Sequence, residues 1–147
     1  MNTSLAGDRA TRLYDGYLFD LDGTLYLGDE LLPGAKRLID GLRERGRRVL
    51  FLSNNPTKDP VMYAEKLTRL GIPATPHDVV NPLVTLAAWL RAEAPGARVF
   101  VIGSDPLQRA VIEAGCEPCE DPELIDVVVA SYDTSFDYRK LQIAFDT

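Results

Sequence analysis

Two carboxylates close an apolar run. Tyr17, Leu18 and Phe19 lead into Asp20, Leu21 and Asp22, and Gly23 and Thr24 follow at once. On an extended strand, residues i and i+2 share one side. A strand over residues 18–22 therefore sends Asp20 and Asp22 out together, into the crevice beyond the strand ends where open α/β sheets bind ligands. Two carboxylates this close repel each other unless a cation or a shared proton compensates. Mg2+ is the natural compensation, because it takes oxygen ligands and accepts waters or phosphate oxygens in its remaining positions. Gly23 lets the backbone turn sharply and approach a ligand.

A second polar cluster follows the next apolar run. Val49, Leu50, Phe51 and Leu52 read as a buried parallel strand, and Ser53, Asn54 and Asn55 stand at its end. In a right-handed βαβ unit both strand ends fall on one edge of the sheet. That edge then offers two carboxylates, a hydroxyl, several backbone N–H groups and a nearby helix N-terminus. Carboxylates suit a cation, and a hydroxyl with amides suits phosphate oxygens. The chemistry this set supports is phosphoryl transfer from a phosphomonoester to a carboxylate nucleophile.

The remaining elements must hold these two clusters in place. Residues 23–33 form an irregular connection. Ala35, Leu38, Ile39 and Leu42 recur at helical spacing, and Gly46 closes that helix. Arg43, Arg45, Arg47 and Arg48 near its end read as a solvated, dipole-favourable terminus. Asp59-Pro60, Asn81-Pro82 and Asp105-Pro106 each read as an N-cap followed by the first helical residue. Val99–Ile102 and residues 125–131 are further apolar strands, so strands and helices alternate into a mostly parallel α/β sheet. Asp137 can cap a last helix from Tyr138, with Leu141, Ala144 and Phe145 on its apolar face. That helix carries no stop signal before Thr147, and a longer protein is expected around this chain.

Composition narrows the class. The 147 residues are 46% hydrophobic and 26% charged, as in a globular protein with a real core. A net charge of −6 argues against a nucleic-acid-binding surface. Residues 1–11 lack an apolar leader core, and no apolar run approaches the length of a membrane span, so no membrane partner is expected and the cytoplasm is the expected setting. Cys116 and Cys119 read as two reduced thiols rather than a redox pair or half a zinc site. His77 reads as an exposed loop residue and Trp89 as packing.

The sequence resembles a known family at these motifs. Phe19-Asp20-Leu21-Asp22-Gly23-Thr24 is similar to the first motif of the haloacid dehalogenase superfamily, and Leu52-Ser53-Asn54-Asn55 to its second. Leu25-Tyr26-Leu27-Gly28, Pro33-Gly34-Ala35 and the stretch from Ala64 to Ile72 narrow the resemblance to the NagD-like, 4-nitrophenylphosphatase-type subfamily with a C2-type cap. Val101-Ile102-Gly103 and the run from Val127 to Asp133 resemble the start of that cap. The resemblance implies an α/β Rossmann-like core over residues 1–95 and an incomplete cap over 96–147. It also implies a Mg2+-dependent phosphatase acting on a small phosphorylated metabolite such as a nucleotide monophosphate, sugar phosphate or glycerol phosphate.

Roles carry over on the matching positions. Asp20 would be the nucleophile, forming an aspartyl-phosphate, and a Mg2+ ligand. Asp22 would protonate the leaving alcohol and then activate water, its carbonyl also meeting Mg2+. Thr24 would orient Asp22, and Ser53 with the N–H groups of Asn54 and Gly23 would hold the phosphate. Asp133 is a looser candidate to face the site. The family's lysine and final acidic motif have no counterpart here; Lys58, Lys66 and Lys140 do not sit in the matching place. This chain alone is therefore expected to be nearly inactive, with a non-catalytic phosphate-binding or regulatory module as the alternative. An incomplete cap should expose strand edges and apolar surface, which invites association of copies through it.

Overall fold

A computed structural model describes residues 13–147, so the polar segment 1–11 lies outside the described residues. The elements run β1 (Gly16–Asp20), β2 (Tyr26–Leu27), β3 (Glu30–Leu31), α1 (Ala35–Glu44), β4 (Arg48–Leu52) and α2 (Pro60–Arg69). A short 3-10 turn (Pro76–Asp78) leads to β5 (Val79–Val80) and α3 (Pro82–Glu93). Then come β6 (Arg98–Ile102), α4 (Asp105–Glu113), β7 (Glu117–Pro118), β8 (Val127–Ala130) and α5 (Tyr138–Asp146). Strands β1, β4 and β5 form one three-stranded parallel sheet in the order β1-β4-β5, and β7-β6-β8 form a second. The α/β reading with parallel sheets is borne out. The connection over residues 23–33 is not wholly irregular, since β2 and β3 pair there as an antiparallel hairpin.

The first sheet has the βαβ geometry that the motifs require. Gly16 pairs with Arg48 at the start of the strands and Asp20 with Leu52 at their end. Between them α1 buries Ala35, Ile39 and Leu42, while Leu38 stays half-exposed. Gly46, at φ 69°, ends the helix: its N–H donates to the Arg43 carbonyl and the Arg47 N–H to the Leu42 carbonyl, at 2.8 and 3.0 Å. The arginines stand at the edge opposite Asp20, as the register dictates. Arg43 and Arg45 donate to the Pro73 and Gly41 carbonyls and Arg47 to Asp15, which fits the helix-end reading.

Two cores result. Under the first sheet lie Leu21, Ile39, Phe51, Tyr63, Leu67 and Ile72, all at or near zero exposure. Burying each such side chain stabilises by about 1.5–3 kcal/mol. The second core gathers Ala87, Leu90, Val99, Val111 and Cys116. Helix α3 therefore packs with the second sheet, although it precedes the expected division after residue 95. We propose that the two units divide at Asn81 instead. Cys116 is buried, Cys119 is half-buried, and both are free. His77 is exposed. Among the described residues no helix is long and apolar enough to cross a membrane.

Three local expectations are corrected. Strand β1 stops at Asp20, so Asp22 lies beyond it. The cap of α4 is Ser104, not Asp105, which begins the helix. In α5 the inward residue is Ile143, packed with Phe100 and Ile102, whereas Leu141 and Phe145 are exposed at 49% and 83%. A helix lays one apolar stripe on a sheet, and here the Ile143–Ala144 stripe meets β6 and β8 while the Leu141–Phe145 stripe faces out.

The other two Pro-led caps form as read. Asp59 accepts the Met62 N–H at 2.9 Å and Asn81 accepts the Val84 N–H at 3.1 Å. Asn81 is also buried and donates to the Lys58 carbonyl at 2.8 Å. Asp59→Ala should cost about 1 kcal/mol. Asn81→Ala should cost about 2 kcal/mol or more, because it also strands a carbonyl. Urea unfolding of both variants checks this, and equal losses would remove the second role given to Asn81.

Candidate functional site

The site begins where β1 ends. Past Asp20 the chain turns inward at Leu21, which is fully buried. The Leu21 carbonyl then accepts the N–H groups of Thr24, Leu25 and Tyr26 at 3.2, 3.0 and 3.4 Å. Asp22 makes an isolated bridge to Tyr26, and the Gly23 N–H donates to the Tyr26 carbonyl at 2.8 Å. Gly23 takes φ 82°, a left-handed conformation that glycine adopts without strain. Asp20 and Asp22 thus both emerge exposed, placed by a buried leucine anchor and a glycine turn rather than by the two-residue repeat of a strand.

Two expected roles change with this geometry. The Gly23 N–H is already engaged by Tyr26 and is not available to a phosphate oxygen. The Thr24 hydroxyl donates to Asp20 Oδ2 at 3.3 Å, so it orients Asp20 and not Asp22. Among the described residues neither carboxylate has a lysine or arginine partner.

Strand β4 supplies the other wall. Because Asp20 pairs with Leu52 in a parallel ladder, Ser53 stands one residue further along the adjacent strand, about 4.8 Å across. Its N–H donates to the Val80 carbonyl at 3.1 Å, which fixes the turn off the sheet. Ser53 is buried, and its hydroxyl is hydrogen-bonded to the Tyr63 hydroxyl at 2.8 Å. The Asn55 N–H donates to Ser53 Oγ at 3.2 Å. Asn54 is exposed between them.

Below this edge lie two tyrosines that reading the sequence for chemistry missed, since each falls in an apolar pattern. Tyr26 and Tyr63 are both 1% exposed. The Tyr26 hydroxyl has no hydrogen-bond partner among the described residues. Burial pushes its pKa well above the ordinary phenol value, and the charges of Asp22 and Asp20 and the neighbouring Tyr63 add to the shift. Tyr63 is raised by burial too; its bond to Ser53 opposes the shift and Asp22 reinforces it. Both phenols therefore keep their protons. Lys66 lies 3.9 Å over the Tyr26 ring and 3.8 Å from the Asp29 carboxylate, and is engaged there.

The donor set is all oxygen: two exposed carboxylates without a counter-charge among the described residues, and the carbonyl of Asp22. This fits a hard divalent cation whose remaining positions go to water or phosphate. No group of three or more His, Cys, Asp or Glu side chains gathers among the described residues, so the chain offers a pair and not a closed cage.

Parallel strands, a carboxylate pair beyond the end of one and a hydroxyl on the next define an α/β protein with a candidate site at the sheet edge. The family model for haloacid dehalogenase-like hydrolases matches residues 17–117, and the chain belongs to that family. It is 40% identical over 131 residues to an acid sugar phosphatase of Staphylococcus aureus, covering 89% of this chain and 50% of the relative. A 4-nitrophenylphosphatase from Thermotoga maritima superposes with a TM-score of 0.78 at 30% identity, over 88% of this chain and 49% of that one. A glycerol phosphate phosphatase from Mycobacterium tuberculosis, solved with magnesium, gives a TM-score of 0.77 at 33% identity, over 88% and 39%. The chain spans about half the length of the curated relatives it matches.

Asp133 is not part of this edge's chemistry. Its Oδ2 accepts from Lys140 Nζ at 2.7 Å, and its Oδ1 accepts from the Ser135 N–H and hydroxyl, each at 2.8 Å. The Lys140 bond first, and then the Ser135 N–H, hold its pKa down at about 2. A depressed carboxylate pKa contributes stability above the unfolded value, about 4, and loses it as pH falls through the folded value. Carbon-detected NMR titration should therefore find Asp133 ionised down to about pH 2, and Lys140→Met should move it toward the ordinary range. An ordinary Asp133 titration in the unmutated chain would contradict the clamp.

Proposed function

We propose that this chain carries the nucleophile half of a Mg2+-dependent phosphatase acting on a small phosphomonoester. The observation that supports this most is the exposed pair Asp20 and Asp22, without a lysine or arginine partner among the described residues, with Asp20 one residue of register from Ser53. An Asp20 carboxylate oxygen attacks phosphorus. The P–O ester bond breaks, and Asp22 gives its proton to the departing alkoxide. Water then attacks the aspartyl-phosphate, Asp22 takes a proton from that water, and inorganic phosphate leaves with Asp20 restored.

Other residues of the chain serve those steps. Thr24 holds Asp20 Oδ2, which leaves the other carboxylate oxygen for the attack. Ser53 and the Asn54 N–H hold phosphate oxygens, and Gly23 contributes by its turn and not by its N–H. Asp20 and the Asp22 carbonyl would hold Mg2+, which when bound supplies charge neutralisation of the phosphoryl group. The acid sugar and glycerol phosphate activities of the relatives make polyol and sugar phosphates the first substrates to try. Because no lysine or arginine among the described residues meets the carboxylate pair, turnover by this chain alone should fall on the order of 100- to 1,000-fold below that of a protein of the relatives' length.

Hydrolysis with Mg2+ tests the assignment in a protein of the relatives' length that contains this chain. Asp20→Asn should reduce turnover to background. Asp22→Asn should lower kcat/KM for glycerol phosphate far more than for 4-nitrophenyl phosphate, because nitrophenolate leaves without needing a proton. Retention of activity by Asp20→Asn would remove the nucleophile. Equal losses on both substrates would remove the acid role of Asp22. Phosphate binding without turnover would favour the non-catalytic reading.

A further inference from the structure

Ser53 is buried, yet the proposed function asks its hydroxyl to donate outward to a phosphate oxygen. A serine hydroxyl has one hydrogen and two lone pairs. The Asn55 N–H occupies one lone pair at 3.2 Å. The Tyr63 hydroxyl stands at 2.8 Å from Ser53 Oγ, and either oxygen of that pair can be the donor. The direction decides what Ser53 can do. If Ser53 donates to Tyr63, its only hydrogen points into the core and the serine presents nothing to an anion.

The surroundings of Tyr63 settle the direction. Its side chain is 1% exposed, and Ser53 Oγ is the hydrogen-bond partner of its hydroxyl among the described residues. A phenol hydrogen buried with no acceptor costs about 1–3 kcal/mol. Only donation to Ser53 Oγ avoids that cost. With Tyr63 and Asn55 both donating to it, Ser53 Oγ is saturated as an acceptor, and its own hydrogen is turned outward. We propose that Tyr63 is a positioning residue that fixes Ser53 as an obligate donor to the phosphate. The inference rests on the reading of Ser53 as a phosphate ligand. Tyr63 itself touches no substrate.

Helix α2 is what delivers this hydroxyl. Its Asp59 cap and Pro60 start set the first turn, and Tyr63 falls on the inward face with Ala64 and Leu67. The phenol ring packs in the first core and only its oxygen reaches the underside of the strand end. A phenylalanine here keeps the ring and the packing and removes one donor.

Titration with inorganic phosphate at fixed Mg2+ tests the inference through a double-mutant cycle. Ser53→Ala should weaken binding about 10- to 100-fold, the size expected for a hydrogen bond to a charged group. Tyr63→Phe should weaken it about 3- to 10-fold in the Ser53 background and not at all in Ser53→Ala. An equal loss in both backgrounds means that Tyr63 acts by packing, and overturns the inference. So does wild-type binding by Tyr63→Phe when Ser53→Ala is weakened. If Ser53→Ala binds phosphate as the unmutated chain does, or if the unmutated chain binds none, the phosphate reading of Ser53 itself falls. A second measurement needs no variant. The Tyr63 hydroxyl proton should give a slowly exchanging NMR signal with a nuclear Overhauser effect to the Ser53 β protons, and that signal should persist when phosphate is added. A Tyr63 hydroxyl proton lacking that contact would overturn the proposal even if Tyr63→Phe failed to fold.

Discussion

Parallel pairing of β1 on β4, with Asp20 opposite Leu52, is the constraint on which the proposed site depends. It sets the carboxylate end of one strand beside the serine end of the next. A slip of one residue would turn every side chain of β1 to the other face. Tyr17 and Phe19 would leave the first core, and Leu18, now exposed, would enter it. The core therefore enforces the register, and the register places the chemistry. Helix α1 and its Gly46 stop make the pairing reachable, since parallel neighbours need a crossover.

The same burial that fixes the register carries polar atoms down with it. Tyr26 and Tyr63 contribute ring area to the core and bring two hydroxyls within the field of Asp22. Tyr63 finds Ser53, and Tyr26 finds no partner among the described residues. An orphan hydroxyl beside two negative charges costs free energy that a phenylalanine would not. Such local costs concentrate where a protein does chemistry, and this one belongs to Tyr26, the residue on which the turn from Asp20 closes.

Much of this was legible in the chain itself. Apolar runs ended by polar clusters located β1, β4 and β6, and the Asp-Pro and Asn-Pro pairs located two caps to the residue. What was not legible depends on contacts between distant segments. Asp22 looks like a strand residue by alternation, but the buried Leu21 pulls the chain off the strand first. Thr24 has no sequence signal that distinguishes Asp20 from Asp22 as its acceptor. Tyr63 looks like an ordinary helix core residue, because its hydroxyl matters only once α2 is laid under β4. Helix α5 has two apolar stripes, and only the sheet selects between them.

The two parallel sheets allow a comparison within one molecule. Each ends its strands in polar loops, and each sets aspartates nearby. In the second, Asp133, just past the end of β8, is met by Lys140, and Asp126, at the opposite edge before β8, is met by Arg98 through two bonds of 3.0 Å. These carboxylates are neutralised by the chain's own cations and hold its loops in place. In the first, Asp20 and Asp22 stand exposed without such partners among the described residues. Topology is shared, so it cannot be what distinguishes a site from a clamp. The difference lies in where the compensating charge comes from. At the edge of the first sheet the described residues supply none, and a cation together with a phosphate ester is the combination proposed for this arrangement of oxygens and amides.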